Sequence, residues 1–194
     1  MIAYLEGKFV YKNPTMVFLD VNGVGYEVHI SLNTYSEIQS MTVGKLYTYL
    51  QVKEDAHTLY GFYEMPEKEM FVMLIGVSGI GAATARMMLS SMRPDEISRA
   101  ILQGNSRLLE TVKGIGRKTA ERLVLELRDK VNKQSLETGL PLSKGNSLEL
   151  DALNALIALG IGKPLAEQAI NKTIKADPSI TILEELIKKT LKAI

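Results

Sequence analysis

The chain has 194 residues with 23 Lys and Arg against 22 Asp and Glu, so there is no global positive field to collect nucleic acid, and any such role must rest on local charge. With no cysteine, disulfides and thiolate metal sites are excluded, and the two isolated histidines, His29 and His57, make no metal site. No apolar run approaches the roughly 20 residues that cross a bilayer, and the start lacks a basic segment followed by an apolar one, so a cytoplasmic location is expected.

Residues 1–63 read as strands. Ile2 to Tyr11 and Thr15 to Val21 are joined by Asn13-Pro14, and Asn22-Gly23, the strongest short hairpin signal, turns the chain into Val24 to Ile30. A polar, helix-like interval from Leu32 to Gln39 precedes Leu46 to Lys53 and Thr58 to Tyr63. Five strands with one helix after the third predict an OB-like β-barrel, a scaffold often used for nucleic acid. Its aromatic residues, Tyr4, Phe9, Tyr11, Phe18 and Tyr60 among them, have faces on which bases could stack, but core or interface packing is the expectation. At the tip between the last two strands, Lys53-Glu54-Asp55-Ala56-His57 sets two acids side by side. Acids are common in turns, and by itself the pair says no more than that.

From Glu64 the apolar spacing becomes helical: Pro66 to Ile75, Ala82 to Met92, Pro94 to Leu102, Ser106 to Thr111 and Arg117 to Val131. Pro94 opens its helix with Asp95 and Glu96 behind it, and Gly104-Asn105 closes that helix and caps the next. Within this region Ser78-Gly79-Ile80-Gly81-Ala82-Ala83-Thr84-Ala85 aligns without a gap with Lys113-Gly114-Ile115-Gly116-Arg117-Lys118-Thr119-Ala120, 35 residues later. Each copy follows an apolar helix end, Leu74-Ile75 and Leu109 to Val112, and each opens a new helix, so the pattern is a tandem helix-hairpin-helix.

The glycines let such a turn come close to a ligand, and the first turn of the next helix offers unpaired N–H groups at the positive end of its dipole, which suits a phosphate. One Gly-x-Gly is weak evidence, because glycine also ends helices for structural reasons. Two copies in register, one of them rich in Arg and Lys, favour a sugar-phosphate clamp. The stripe Ala120, Leu123, Val124, Leu127, Val131 anchors the last helix, with Arg117, Lys118, Arg122 and Arg128 off it. The candidate DNA-binding residues are therefore Gly79, Ile80, Gly81, Gly114, Ile115, Gly116, Arg117, Lys118 and Arg122.

Local charge agrees with this placement. Counted along the sequence, residues 1–63 carry net −2, residues 64–139 net +2 and residues 140–194 net +1, and residues 105–133 hold eight basic against four acidic side chains. Pairs such as Glu126–Lys130 on a solvated helix face account for part of that charge.

Residues 132–147, NKQSLETGLPLSKGNS, lose apolar periodicity and collect Gly, Pro, Ser and Asn, which reads as a flexible linker. Beyond it, Leu148 to Leu159, Pro164 to Lys175 and Ile180 to Ala193 predict a three-helix bundle, broken by Gly160-Ile161-Gly162 and Asp177-Pro178. With Pro164 starting the next helix and few basic neighbours, the third Gly-Ile-Gly reads as an interhelix turn, and the tethered bundle as a partner-docking module.

The layout resembles the RuvA family, the Holliday-junction-binding subunits of the bacterial branch-migration complex. The resemblance spans the chain and rests on Asn22 to Val28, Lys53 to Ala56, Leu59-Tyr60-Gly61-Phe62, Gly114 to Leu123, and Ala155-Leu156 with Ala158-Leu159-Gly160. It implies a multidomain α+β protein: an OB-like barrel at 1–63, a tandem helix-hairpin-helix DNA-binding domain at 64–131, the linker at 132–147 and a three-helix motor-docking domain at 148–194. It further implies structure-specific binding of four-way (Holliday) junctions, in homologous recombination and DNA repair, by a homotetramer. Whether one tetramer or two facing ones, an octamer, enclose the junction stays open.

In this family the hairpins grip minor-groove phosphates, and an acidic pin, matched here by Glu54 and Asp55, lies near the junction centre. The C-terminal bundle recruits the hexameric RuvB ATPase, which uses the ATP and magnesium, so the resemblance gives this chain no cofactor and no catalytic residue. The RuvC resolvase is a further candidate partner. The chain departs from the family at Ala82-Ala83, where a basic residue often follows the first hairpin's glycines. That leaves the first clamp to backbone N–H groups, with Arg86 one turn later as the nearest cation.

Two enzyme readings fare worse. G-x-x-x-x-G-K-[ST] is satisfied nowhere and no strand precedes Gly114, against a nucleotide-hydrolysing loop. A glycosylase or nuclease lacks its catalytic Lys or Asp after the hairpin, and its metal cluster.

Overall fold

Alternation in the first sixty residues becomes five strands in a computed structural model that describes residues 1–138, 144–177, 180 and 182–193. The strands are β1 (Tyr4–Asn13), β2 (Met16–Val21), β3 (Val24–Ile30), β4 (Val43–Val52) and β5 (His57–Phe62), with helix α1 (Leu32–Ile38) between β3 and β4. They close into a barrel in the order β1-β2-β3-β5-β4, with β4 back against β1, and all pairs are antiparallel except β3 with β5. Asn22 and Gly23, at φ 52° and 88°, make the tight turn that sets Val21 opposite Val24.

Inward alternation buries Leu5, Phe9, Val17, Leu19, Val28, Ile30, Ile38 and Leu46. Helix α1 plugs one end: Ser31 caps it by accepting from Thr34 N–H at 3.0 Å, and Lys12 Nζ donates to the carbonyls of Ile38, Gln39 and Met41 at its other end. The aromatics divide. Phe9, Tyr60 and Phe62 are buried, whereas Tyr4 and Tyr11 stay about half exposed, Tyr4 under Lys45 Nζ at 5.2 Å and Tyr11 against Phe18 at 5.0 Å.

The helical part consists of α2 (Met65–Ile75), α3 (Ala82–Ser91), α4 (Pro94–Leu102), α5 (Ser106–Glu110) and α6 (Arg117–Thr138). Their core includes Phe71, Leu74, Met88, Leu89, Ile97, Ile101, Leu109, Leu123 and Leu127, and it continues into the barrel wall through Tyr60 and Phe62. Phe71 is the joint, with ring centroids 5.0 Å from Tyr60 and 4.9 Å from Phe62. Gly104 ends α4 at φ 69°, and Asn105 Oδ1 accepts from Leu108 N–H at 3.2 Å to cap α5, as the sequence led one to expect.

By its contacts the chain falls into two units, Met1–Glu137 and Thr138–Ile194. Helical structure enters both ends of the segment expected as a linker, since α6 runs on to Thr138 and α7 (Lys144–Ala158) starts before Leu148. Asn132 to Thr138 lose the apolar stripe but contain neither Gly nor Pro, and Lys, Gln, Leu and Glu are good helix formers. Residues 139–143 of that segment lie outside the described residues. The second unit packs α7, α8 (Lys163–Ala176) and α9 (Leu183–Ala193) around Ala152, Leu156, Ala166, Ile170 and Leu186. Its Gly160, at φ 91°, closes α7 with Ile161 N–H bonded back to Leu156 O at 3.1 Å, a helix-ending turn. Among the described residues no helix is long and apolar enough to cross a membrane, and no group of three or more His, Cys, Asp or Glu is arranged to hold a metal.

Candidate nucleic-acid interface

The two Gly-Ile-Gly turns are the same object built twice. In the first, Ile80 N–H donates to Val77 O at 3.0 Å and Ala85 N–H to Gly81 O at 2.9 Å; in the second, Ile115 donates to Val112 O at 3.0 Å and Ala120 to Gly116 O at 2.9 Å. Gly79 and Gly114 take φ of 93° and 94°, the left-handed region that a side chain resists. Ile80 and Ile115, each 5% exposed, hook the turn into the core, as do Val77 and Val112 before them.

The last glycine of each turn has a different reason. Gly81 sits at φ −86° and ψ 168°, open to any residue, and Gly116 is likewise outside the left-handed region. A Cβ on Gly81 or Gly116 would meet nothing within 4 Å. Neither backbone conformation nor packing within the chain calls for glycine there, and the backbone is left open to a close approach from outside. Just beyond lie the first-turn amides of α3 and α6, and no side chain caps α3.

Helix α6 brings the cations. Arg117 pairs with Glu121 at 2.9 Å, and that hydrogen bond, with the charges of Glu121 and Glu110, raises its pKa further. Arg122 Nη1 donates to Ser78 O of the first turn at 3.3 Å, and its Nε lies 3.9 Å from Glu126, which pairs with Arg122 rather than with Lys130. Lys118 is exposed and makes no ion pair among the described residues, as does Lys113, which precedes Gly114. The hairpins also lie side by side, because a Cβ added to Gly114 would stand 3.9 Å from Thr84 Cγ2. The contacts of Ser78, Thr84 and Arg122 thus make one surface of two turns.

Arg86, the cation that follows the first turn most closely along the sequence, is engaged elsewhere. Its Nη1 donates to Thr15 O at 3.0 Å and lies 3.2 Å from His29 Nδ1, both on the barrel. The first turn keeps its backbone donors, and the side-chain cation that reaches it among the described residues is Arg122, at Ser78 O. Glu54 and Asp55 stand exposed at the β4–β5 tip, which is closed by Lys53 N–H to Ala56 O at 2.9 Å. No hydrogen bond or ion pair joins them to either hairpin.

Comparison with known families matches residues 1–61 to "RuvA N terminal domain" and residues 71–129 to "SAM-like Helix-hairpin-helix tandem". Among similar proteins, one from Cytophaga hutchinsonii is 47% identical over 168 residues, covering 84% of each chain. One from Christiangramia forsetii is 48% identical over 163 residues, again 84% of each. One from Geobacter metallireducens is 48% identical over 166 residues, 82% of this chain and 83% of its own. All three carry the name Holliday junction branch migration complex subunit RuvA.

Proposed function

Because this chain belongs to the RuvA family, we propose that it binds four-way DNA junctions by their structure, holds them open, and recruits a RuvB-type hexameric ATPase that drives branch migration in recombination and repair. The observation that carries the reading is the pair Gly81 and Gly116, glycines that the chain's own fold does not need, each beside a helix N-terminus. Sugar-phosphate backbone enters there. The amides of residues 82–84 and 117–119 bond the phosphate oxygens, and Lys118 neutralises charge, with Lys113 beside it. Arg117 joins by leaving Glu121, and Arg122 chiefly spaces the two turns.

Such contacts read backbone and not base edges, so affinity depends on branch geometry and salt but hardly on sequence. The subunit itself performs no chemistry; ATP and magnesium belong to the partner. Four copies of the barrel surround the crossover in this reading, singly or as facing tetramers, with Glu54 and Asp55 toward its centre. Residues 148–194 engage the ATPase, and RuvC-type cleavage follows on the same junction.

Competition between a four-way junction and a duplex of the same sequences, run at two salt concentrations, tests the proposal. The junction should win at both, and scrambling its arm sequences should leave the result unchanged. Equal affinity for the two, or dependence on arm sequence, would overturn it.

A further inference from the structure

Helix α3 carries the first hairpin turn at its N-terminus and is fastened to the barrel unit at two levels. Near its far end, α1 reaches across: the Asn33 amide donates to Leu89 O at 2.6 Å and Met92 O at 3.2 Å, and Leu32 N–H to Ser90 Oγ at 3.1 Å. Closer to the turn the polar tie is Arg86, five residues past Gly81 and so roughly 7.5 Å along the axis. Its target, Thr15 O, also accepts from Ile30 N–H at 3.0 Å, where β2 begins beside the end of β3. Its other contact, His29, stacks 5.8 Å from Tyr60, which in turn meets Phe71 of α2.

The His29 contact has a protonation requirement. For Nδ1 to accept from Arg86 the ring must be neutral with its hydrogen on Nε2, which faces Glu27 Oε1 at 3.7 Å. The groups facing the ring are Arg86 from α3, Glu27 from its own strand, and the Tyr60 phenol ring from β5. Burial first, then the Arg86 charge, lower the His29 pKa against the pull of Glu27. A second proton would set two donors, both cationic, against each other.

We propose that Arg86 and His29 form a positioning joint that fixes the first hairpin against the barrel and that opens when His29 takes a proton. The inference rests on the junction-binding reading above. A plain duplex needs only the hairpins, whereas choosing a branched substrate needs hairpins and barrel in one fixed geometry. With the joint open, the N-terminal end of α3 is held to the barrel by the buried core and by α1 alone, so the first hairpin's placement loosens and the preference for a junction falls while duplex affinity stays.

The test measures junction and duplex affinities of the full chain at pH about 7.5 and about 5, the lower value set well under the ordinary imidazole range because the His29 pKa is lowered, at constant salt. The wild-type preference should drop about tenfold on acidification, the effect of one lost charge-assisted hydrogen bond. Arg86→Ala should show the low preference at both pH values with unchanged duplex affinity, and Arg86→Lys, still a donor to Thr15 O, should recover part of it. His29→Asn keeps an acceptor at the Nδ1 position and cannot titrate, so its preference should be the same at both pH values. An Arg86→Ala chain with wild-type preference, or a His29→Asn chain that loses preference in acid as the wild type does, would overturn the joint. If circular dichroism shows Arg86→Ala unfolded, the comparison of His29→Asn with wild type decides alone. A wild type without junction preference at neutral pH would remove the underlying reading instead.

Discussion

Glu67 is a carboxylate held in the interior without a cation. It lies in the first turn of α2, 4% exposed, and accepts from the hydroxyls of Ser31 and of Thr34, the latter at 2.6 Å. Each hydroxyl also accepts a backbone amide, Ser31 from Thr34 and Thr34 from Tyr63, both at 3.0 Å, so one residue knits α1, the end of β5 and α2. Glu67→Ala would strand two buried hydroxyls and open a cavity, an expected loss of about 2–4 kcal/mol in urea denaturation. A loss under about 1 kcal/mol would show that the network does not hold α2 in place.

Burial pushes the Glu67 pKa up, opposed by the two hydroxyl bonds and assisted by Glu64 and Glu37. A folded-state value above the unfolded one means stability present below about pH 4 and lost as pH rises through the folded value. Glu67→Gln cannot titrate, so wild type should lose stability relative to it across that window, and parallel curves would exclude a titrating Glu67. At the turns, the two kinds of glycine predict opposite defects. Gly79→Ala or Gly114→Ala forces a Cβ into positive φ, about 1–2 kcal/mol of stability. Gly81→Ala with Gly116→Ala should fold normally yet bind DNA more weakly, and unchanged affinity would mean that no backbone approaches there.

Among the elements, the hairpins were legible in sequence because everything that defines them is local: two glycines, a hooked isoleucine, an apolar helix before and another after. The barrel was legible through period-two alternation and the Asn22-Gly23 turn, with strand ends off by a few residues. What the sequence does not carry is the coupling of elements. Arg122 to Ser78 O spans 44 residues and Arg86 to His29 spans 57, and both depend on helix orientation, so Arg86 reads in sequence as a cation for the first clamp although its guanidinium lies in the barrel joint. The end of α6 was hidden for another reason: a helix carried by propensity alone shows no apolar stripe, whereas the start of α7, with Gly145, Asn146 and Ser147, has neither stripe nor propensity to signal it.

Pairing also ranks the cations of α6. With Arg117 on Glu121 and Arg122 on Ser78 O, Lys118 is the one of these three near the second turn with least to give up on meeting a phosphate. Lys118→Ala should weaken binding to all junction sequences alike and lower the salt slope by about one unit. A loss confined to some sequences would mean that Lys118 reads bases.

At the scale of the whole molecule, the proposed grip and the proposed docking fall in different units. Among the described residues each unit has its own core, that of the C-terminal unit built from Ala152, Leu156, Ala166, Ile170 and Leu186. A chain ending at Ser147 should therefore bind junctions as the full chain does but fail to stimulate the partner ATPase, and loss of junction binding would assign the tail to the clamp. Within the first unit, Glu54 and Asp55 pose the opposite question, since carboxylates near converging phosphates oppose binding by like-charge repulsion that salt screens. Selection for affinity alone would not put them there. In the proposed tetramer two per subunit would make eight, a ring of negative charge that would keep the arms from stacking and part the strands as they pass. Both side chains are exposed at a tip closed by backbone bonding, so Glu54→Gln with Asp55→Asn should leave the fold unchanged. The double variant should bind DNA as well as or better than wild type, with its gain greatest at low salt, while its preference for a four-way junction over duplex narrows and motor-driven migration changes rate. Acids that merely decorate a turn remote from DNA would alter neither quantity, so an unchanged junction-to-duplex ratio at two salt concentrations, together with an unchanged migration rate, would sink the pin.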